Sequence, residues 1–329
     1  MSMGSTSKGA VRLFRVTGID VFVHWSWLVV AWFEIGTPAN KYQSPVWNVI
    51  EYLSLFAIVT MHEFGHALAC RQVGGTANQI MLWPLGGMAF VLPPPRPGAV
   101  LWTQAAGPLV NLLLVPLSIA AVVAARWGGL QNINGDAMHF LMSIAAINLA
   151  LLVLNLLPIY PLDGGQILQS LLWFVVGRAW SLRIVGVLGV LCGLGFIAIS
   201  LSSGSMWMIF LSLFIMGRSL TAFRQGIAIS RLARAPRRVG FACPSCGAAP
   251  PIGDYWTCGH CRTAFDTFLH VASCPGCGHE YPQTQCSACN ATHPIMDWIP
   301  RVTLEAAPRD AHVDGRRDPA NPYASPEFG

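Results

Sequence analysis

Residues 47–70 read WNVIEYLSLFAIVTMHEFGHALAC, an apolar run that closes on His62-Glu63-Phe64-Gly65-His66. Roughly 20 apolar residues cross a bilayer as a helix, so this run is long enough to span one. Histidines four positions apart share one helix face, where both imidazoles reach a single zinc ion with the glutamate beside them as general base. A charged side chain at mid-bilayer costs about 2.5–3.5 kcal/mol. A glutamate set between two histidines there is unfavourable unless a metal site uses it.

Composition agrees with lipid as the solvent for most of the chain. Of 329 residues, 53% are hydrophobic and 11% charged, against roughly 25% charged in soluble domains. The length allows a membrane core plus one small module. The net charge of +5 is modest and unevenly placed, which fits membrane topology better than nucleic-acid binding. No small-residue cleavage site follows the first apolar run, so a retained first span is expected rather than a removable signal peptide.

The apolar runs give about six transmembrane helices, near 18–34, 47–70, 99–125, 138–157, 184–202 and 205–222. The short run 164–177 reads as a continuation of the fourth, with seven spans as the alternative. Short cytoplasmic loops collect Lys and Arg. With both termini cytoplasmic, the inner segments hold Lys8, Arg12, Arg15, Arg71, Arg96, Arg178, Arg183, Arg218, Arg224, Arg231, Arg234, Arg237 and Arg238, and the outer loops only Lys41 and Arg126. The same topology puts His62, His66 and Asp163 near one depth at the cytoplasmic face.

The stretch 76–92 is no helix: Pro84, Gly86 and Gly87 break it. Two short apolar arms about a Gly-Gly turn predict a membrane-associated β-hairpin. Irregular backbone at that depth needs protein or a wet cavity around it. Its free edge suits strand addition by an unwound substrate; an interfacial loop with no binding role is the plainer alternative.

A catalytic zinc keeps three protein ligands and leaves the fourth position to water. The best third ligand is Asp163, in Asn155-Leu-Leu-Pro158-Ile-Tyr-Pro161-Leu-Asp163-Gly164-Gly165. The prolines unwind the helix end there, and the glycines let the backbone turn the carboxylate inward. Glu63 would take a proton from zinc-activated water and pass it to the leaving amide nitrogen. Asn155 is placed to donate a hydrogen bond to the developing oxyanion. Asn111 is a lesser candidate for a polar task, and His24 reads as a structural or interfacial histidine.

His62-Glu63-Phe64-Gly65-His66, together with Asn155-x-x-Pro158-x-x-Pro161-Leu162-Asp163-Gly164, resembles the site-2 protease family of intramembrane zinc metalloproteases. Leu82-Trp-Pro84-Leu-Gly86-Gly87 resembles its membrane hairpin. The resemblance covers about residues 15–225. It implies zinc on His62, His66 and Asp163, catalysis by Glu63, and single-span membrane protein substrates whose cleavage releases a fragment into the cytosol. The outer loop between the third and fourth spans is too short for a PDZ domain, and the C-terminus does not look like paired nucleotide-binding repeats.

That C-terminus carries eight of the ten cysteines as four CxxC pairs: Cys243/Cys246, Cys258/Cys261, Cys274/Cys277 and Cys286/Cys289. Four thiolates per ion suit closed structural zinc. The pattern resembles a pair of zinc ribbons, with sequential sites expected: the first four cysteines on one ion, the last four on the other. Cross-braced pairing and rubredoxin-like iron are the alternatives. In a cytosolic module disulfides are not expected. Between Cys243 and Cys289 the only Lys or Arg is Arg262. The module thus lacks the basic surface nucleic acid requires, and a protein partner is expected, with a purely structural appendage as the alternative.

The expected organisation is a cytosolic tail 1–17, a membrane domain 18–225, a basic linker 226–239, two ribbons at 240–295 and a disordered tail 296–329. It is an all-α polytopic membrane protein with one catalytic and two structural zinc ions. An inactive scaffold or receptor would not need Glu63, both histidines and Asp163 together. A metal transporter would repeat polar ligands along several spans.

Overall fold

In the computed structural model, residues 9–29, 42–83 and 86–299 are described. Residues 30–34 of the first expected span, Pro84 in the hairpin turn, and the expected disordered tail from residue 300 lie outside them. The chain divides into two compact units, 1–233 and 234–329.

Four helices among the described residues are long and apolar enough to cross a membrane: α1 (Pro45–Gln72), α2 (Pro97–Trp127), α3 (Gly135–Leu156) and α4 (Asp163–Ser203). They make the first unit an integral membrane unit. A fifth helix, α5, runs Met206–Arg234, so the stretch expected as a basic linker begins as helix. Prolines start α1 and α2 at the first turn, where a missing N–H costs nothing. Asn134 caps α3 by accepting from the N–H of Ala137 at 3.0 Å. Asp136, in the first turn of α3, accepts from the N–H groups of Gln43 and Ser44, which ties the starts of α1 and α3 together.

The expected first span at 18–34 is corrected in its opening residues only, since 26–29 are helical and 30–34 lie outside the described residues. Ala10–Val16 and Ile19–His24 are strands β1 and β2, and buried Ile19 and Val21 alternate with the less buried Asp20 and Phe22. A period of two in a Val-rich segment favours strand over helix. Within the stretch expected as a membrane hairpin, β3 (Thr76–Trp83) and β4 (Gly86–Leu92) pair antiparallel. The four strands make one sheet in the order β1-β2-β3-β4, with β2 and β3 parallel and the other pairs antiparallel. Ile19, Val21, Ile80 and Leu82 of this sheet are buried with Val59, Ala67 and Cys70 of α1, so the sheet packs on the helix that carries the HExxH motif. Arg71 pins the end of α1 to it, donating to the carbonyl oxygens of Ala77, Thr17 and Gly18.

The run after Asp163 does not continue the fourth span. α3 stops at Leu156, residues 157–162 form a loop, and Asp163 opens a new helix. α4 is itself broken at Gly177, whose φ of 78° no helix accommodates. α5 lies close against α4 because Gly186, Gly189 and Gly193 leave room: a Cβ on Gly189 would fall 2.1 Å from Ser219 Oγ. The Ser219 hydroxyl donates to the Tyr160 carbonyl at 2.9 Å, which anchors the loop before Asp163.

The second unit is built from two short hairpins, β5–β6 (Trp256–Thr257, Ala264–Phe265) and β7–β8 (Thr284–Gln285, Thr292–His293). It continues past residue 295: Trp298 is 1% exposed and packs with Phe268 and two of the cysteines.

Candidate metal centres

Helix geometry puts His62 and His66 on one face of α1, and their Nε2 atoms lie 3.1 Å apart. Asp163, the first residue of α4, brings Oδ2 to 3.0 Å from His62 Nε2 and 3.3 Å from His66 Nε2. Zinc bonds of about 2.0–2.1 Å at tetrahedral angles space their donors by about 3.3 Å. The three atoms are therefore spaced as three corners of a zinc tetrahedron are. Both histidines are 5% exposed.

The far side of each imidazole is held. His66 Nδ1 donates to the Thr103 carbonyl at 2.8 Å, and a carbonyl can only accept. His62 Nδ1 lies 2.5 Å from Asn111 Oδ1, and the Asn111 amide nitrogen donates onward to Asn148 Oδ1 at 2.7 Å. With Nδ1 held by an oxygen, each ring turns Nε2 toward Asp163, the outer support common to metal-binding histidines. Asn111 stands here, behind His62. Thr103 and Asn148 were not legible in the sequence; a carbonyl leaves no mark on composition, and Asn148 sits in an apolar helix with no motif around it.

Small residues make this approach possible. A Cβ on Gly107 would stand 2.2 Å from His66 Nε2, and one on Gly65 would stand 2.7 Å from the Ala106 carbonyl oxygen. Gly164 and Gly165 act the same way. Both lie within α4, and added Cβ atoms would come within 2.4 Å of the Leu156 carbonyl oxygen and of the Tyr160 amide nitrogen. They provide clearance rather than the backbone freedom expected from the sequence.

Glu63 is 5% exposed, and its Oε2 accepts from the Ala89 N–H of β4 at 2.9 Å. Glu63, both histidines and Asp163 open on one cavity of about 470 Å³. Asn155 lines it, as do Gln104, Tyr160, Gln166 and Arg218. His24 stands apart, stacked on Trp83 at 4.6 Å and paired with Ser26.

The eight clustered cysteines form two groups, and their pairing corrects the sequential expectation. Cys243 and Cys246 meet Cys286 and Cys289; Cys258 and Cys261 meet Cys274 and Cys277. The arrangement is nested, and it is not cross-braced either. Sγ–Sγ distances of 3.5–3.8 Å link the pairs. That is far too long for a disulfide and close to the roughly 3.8 Å edge of a zinc tetrahedron with 2.3 Å bonds. Spacing alone could not decide this, because all four knuckles are locally alike. In each, the residue after the second cysteine has a positive φ: Gly247, Arg262, Gly278 and Asn290. Each of those residues donates its N–H to the carbonyl of the first cysteine. The turn between the inner knuckles decides it. Asp266 accepts from the N–H groups of Phe268 and Leu269 and pairs with Arg238 at 2.6 Å, folding the third knuckle back on the second. Donation from the Cys261 N–H and the Tyr281 hydroxyl pulls the Cys258 thiol down to about 5, which favours the thiolate a metal requires.

Residues 117–199 match Peptidase family M50. A zinc metalloprotease of Methanocaldococcus jannaschii is 31% identical over 206 residues, covering 63% of this chain and 58% of the relative. Rip3 of Mycobacterium tuberculosis, also named as a zinc metalloprotease, is 28% identical over 229 residues, covering 63% of this chain and 57% of its own. The chain thus spans under three fifths of the length of these curated relatives. The solved structure of the site-2 protease from Methanocaldococcus jannaschii is 26% identical, covers 65% of this chain and 95% of that one, and superposes with a TM-score of 0.48.

Proposed function

We propose that this chain, whose membrane unit carries a Peptidase family M50 segment, is an intramembrane zinc endopeptidase that hydrolyses a peptide bond within or near the transmembrane segment of a tethered single-span protein. The observation that carries the reading is the triangle of His62 Nε2, His66 Nε2 and Asp163 Oδ2, with sides of 3.0–3.3 Å, opening on the same cavity as Glu63. Those three residues would hold the ion, which when bound supplies Lewis acidity and lowers the pKa of water to about 7.

The chain's own groups do the rest. Glu63 takes the proton of the attacking water and delivers it to the leaving amine. Asn155, half-buried on the cavity wall, donates its amide N–H to the oxygen on which charge develops. The edge of β4 that has no partner strand among the described residues receives the unwound substrate as an added strand. The eight clustered cysteines hold two structural zinc ions, and that unit docks a protein partner, since Arg262 is its lone cation between Cys243 and Cys289.

The test is Glu63→Gln on a tethered substrate in proteoliposomes. Zinc content should stay at the wild-type level while cleavage stops. Cleavage at the wild-type rate would remove the general-base assignment. Asp163→Asn should lower zinc occupancy as well, and unchanged occupancy would point to a different third ligand.

A further inference from the structure

Among the described residues, β4 pairs on one side only, with β3. The register is regular along Trp83↔Gly86, Leu82↔Gly87, Met81↔Met88 and Ile80↔Ala89. In antiparallel pairing, residues point their backbone groups alternately at the neighbour and away from it. Ala89 points away: its N–H goes to Glu63 Oε2 at 2.9 Å. Gly87 and Val91 share that outward phase, and Ala89 and Val91 both line the cavity.

The carboxylate needs such a partner. Glu63 is buried on a long, flexible side chain, and the backbone N–H groups of α1 around it are spent within the helix. Among the described residues, the Ala89 N–H is the one hydrogen-bond donor on its carboxylate. It binds Oε2 and leaves Oε1 to exchange a proton. The same contact removes one donor from the open edge, at the point where the edge passes the two histidines.

We infer that the Ala89 main-chain N–H is a positioning group for the general base. The hairpin orients Glu63 through it and interrupts its own edge there, so that a strand added to β4 pairs on either side and leaves its scissile peptide facing Glu63. This rests on the protease reading above and adds to it a link between the substrate-binding strand and the base.

Two variants of the full chain remove that N–H. Ala89→Pro costs no ladder hydrogen bond, because this N–H faces away from β3, but its ring also takes the place of the hydrogen that meets Glu63 Oε2. Lactic acid in place of Ala89, introduced by nonsense suppression, converts the amide to an ester and keeps the side chain. On a tethered substrate, both should lose kcat on the order of 10–100-fold, the scale expected for a catalytic group displaced by about 1 Å. KM should stay within about twofold, and zinc content should be unchanged. If the proline variant misfolds, the ester variant decides. Wild-type kcat in the ester variant overturns the inference, as does a raised KM at constant kcat, which would assign the N–H to the substrate. Loss of zinc in the ester variant overturns it too, since the N–H would then support the metal site. A wild-type chain that cuts nothing removes the protease reading itself; a wild type that cuts, with an inactive Glu63→Gln and a fully active ester variant, removes only the role of Ala89.

Discussion

His62 and Asn111 are joined at 2.5 Å across two helices, ring nitrogen to amide oxygen, and the Asn111 amide is in turn fixed by Asn148. The pair sets which nitrogen of His62 faces Asp163, where the proposed ion would sit. Asn111→Leu keeps the volume and removes the acceptor. Zinc affinity should fall by about 10–100-fold, the usual loss when an outer partner of a metal-binding histidine is removed. Competition against a chelator of known affinity reads this directly; an unchanged constant would show that packing alone orients the ring.

Gly107 should tolerate no side chain. Its added Cβ would meet both His66 Nε2 and His62 Nε2, so Gly107→Ala should empty the membrane site of zinc and abolish activity. Gly98→Ala on the same helix, whose nearest new contact is at 3.8 Å, should retain both. Metal analysis of the two purified variants separates a steric cause from a general intolerance of α2 to substitution.

The nested pairing of the cysteines predicts zinc stoichiometries. Cys243→Ser combined with Cys289→Ser damages one site, so the double variant should lose one equivalent relative to wild type. Cys243→Ser combined with Cys261→Ser damages two and should lose two. Sequential pairing predicts the reverse, and native mass spectrometry of the full chain distinguishes them.

Arg262 occupies a left-handed position, with φ of 63°, that glycine fills in two sister knuckles. L-residues other than Gly, Asn and Asp are held there at a cost of about 1 kcal/mol or more. Arg262→Gly should therefore stabilise the ribbon unit by about 1 kcal/mol. Gly278→Ala, in the matching position with φ of 72°, should destabilise it by a similar amount. Thermal unfolding of the zinc-loaded protein checks both signs.

The candidate metal centre was legible because its chemistry is local: two histidines and a glutamate in one helical turn announce themselves, and Asp163 stood out by the prolines and glycines around it. What supports them was not. Thr103 contributes a carbonyl, Gly107 contributes empty space, and Asn148 sits in an apolar helix away from any signature. The N-terminal segment was misread for a different reason. Ile19–His24 is apolar enough to be taken for the start of a span, and its alternation is too short to outweigh that; its pairing with β3, more than fifty residues away, is what makes it a strand. The ribbon pairing escaped because four near-identical knuckles offer no local preference among partners.

The nested cysteines also have a mechanical consequence. The outer group joins the first knuckle of the ribbon unit to its last, and the Ala242 N–H reaches the Trp298 carbonyl beside them. A pull on the two ends of this unit meets the outer clasp first, while the hairpin within, closed by its own four thiolates, carries no tension until that clasp opens. Force spectroscopy should record two ruptures in fixed order, and removing Cys289 should erase the first without lowering the second.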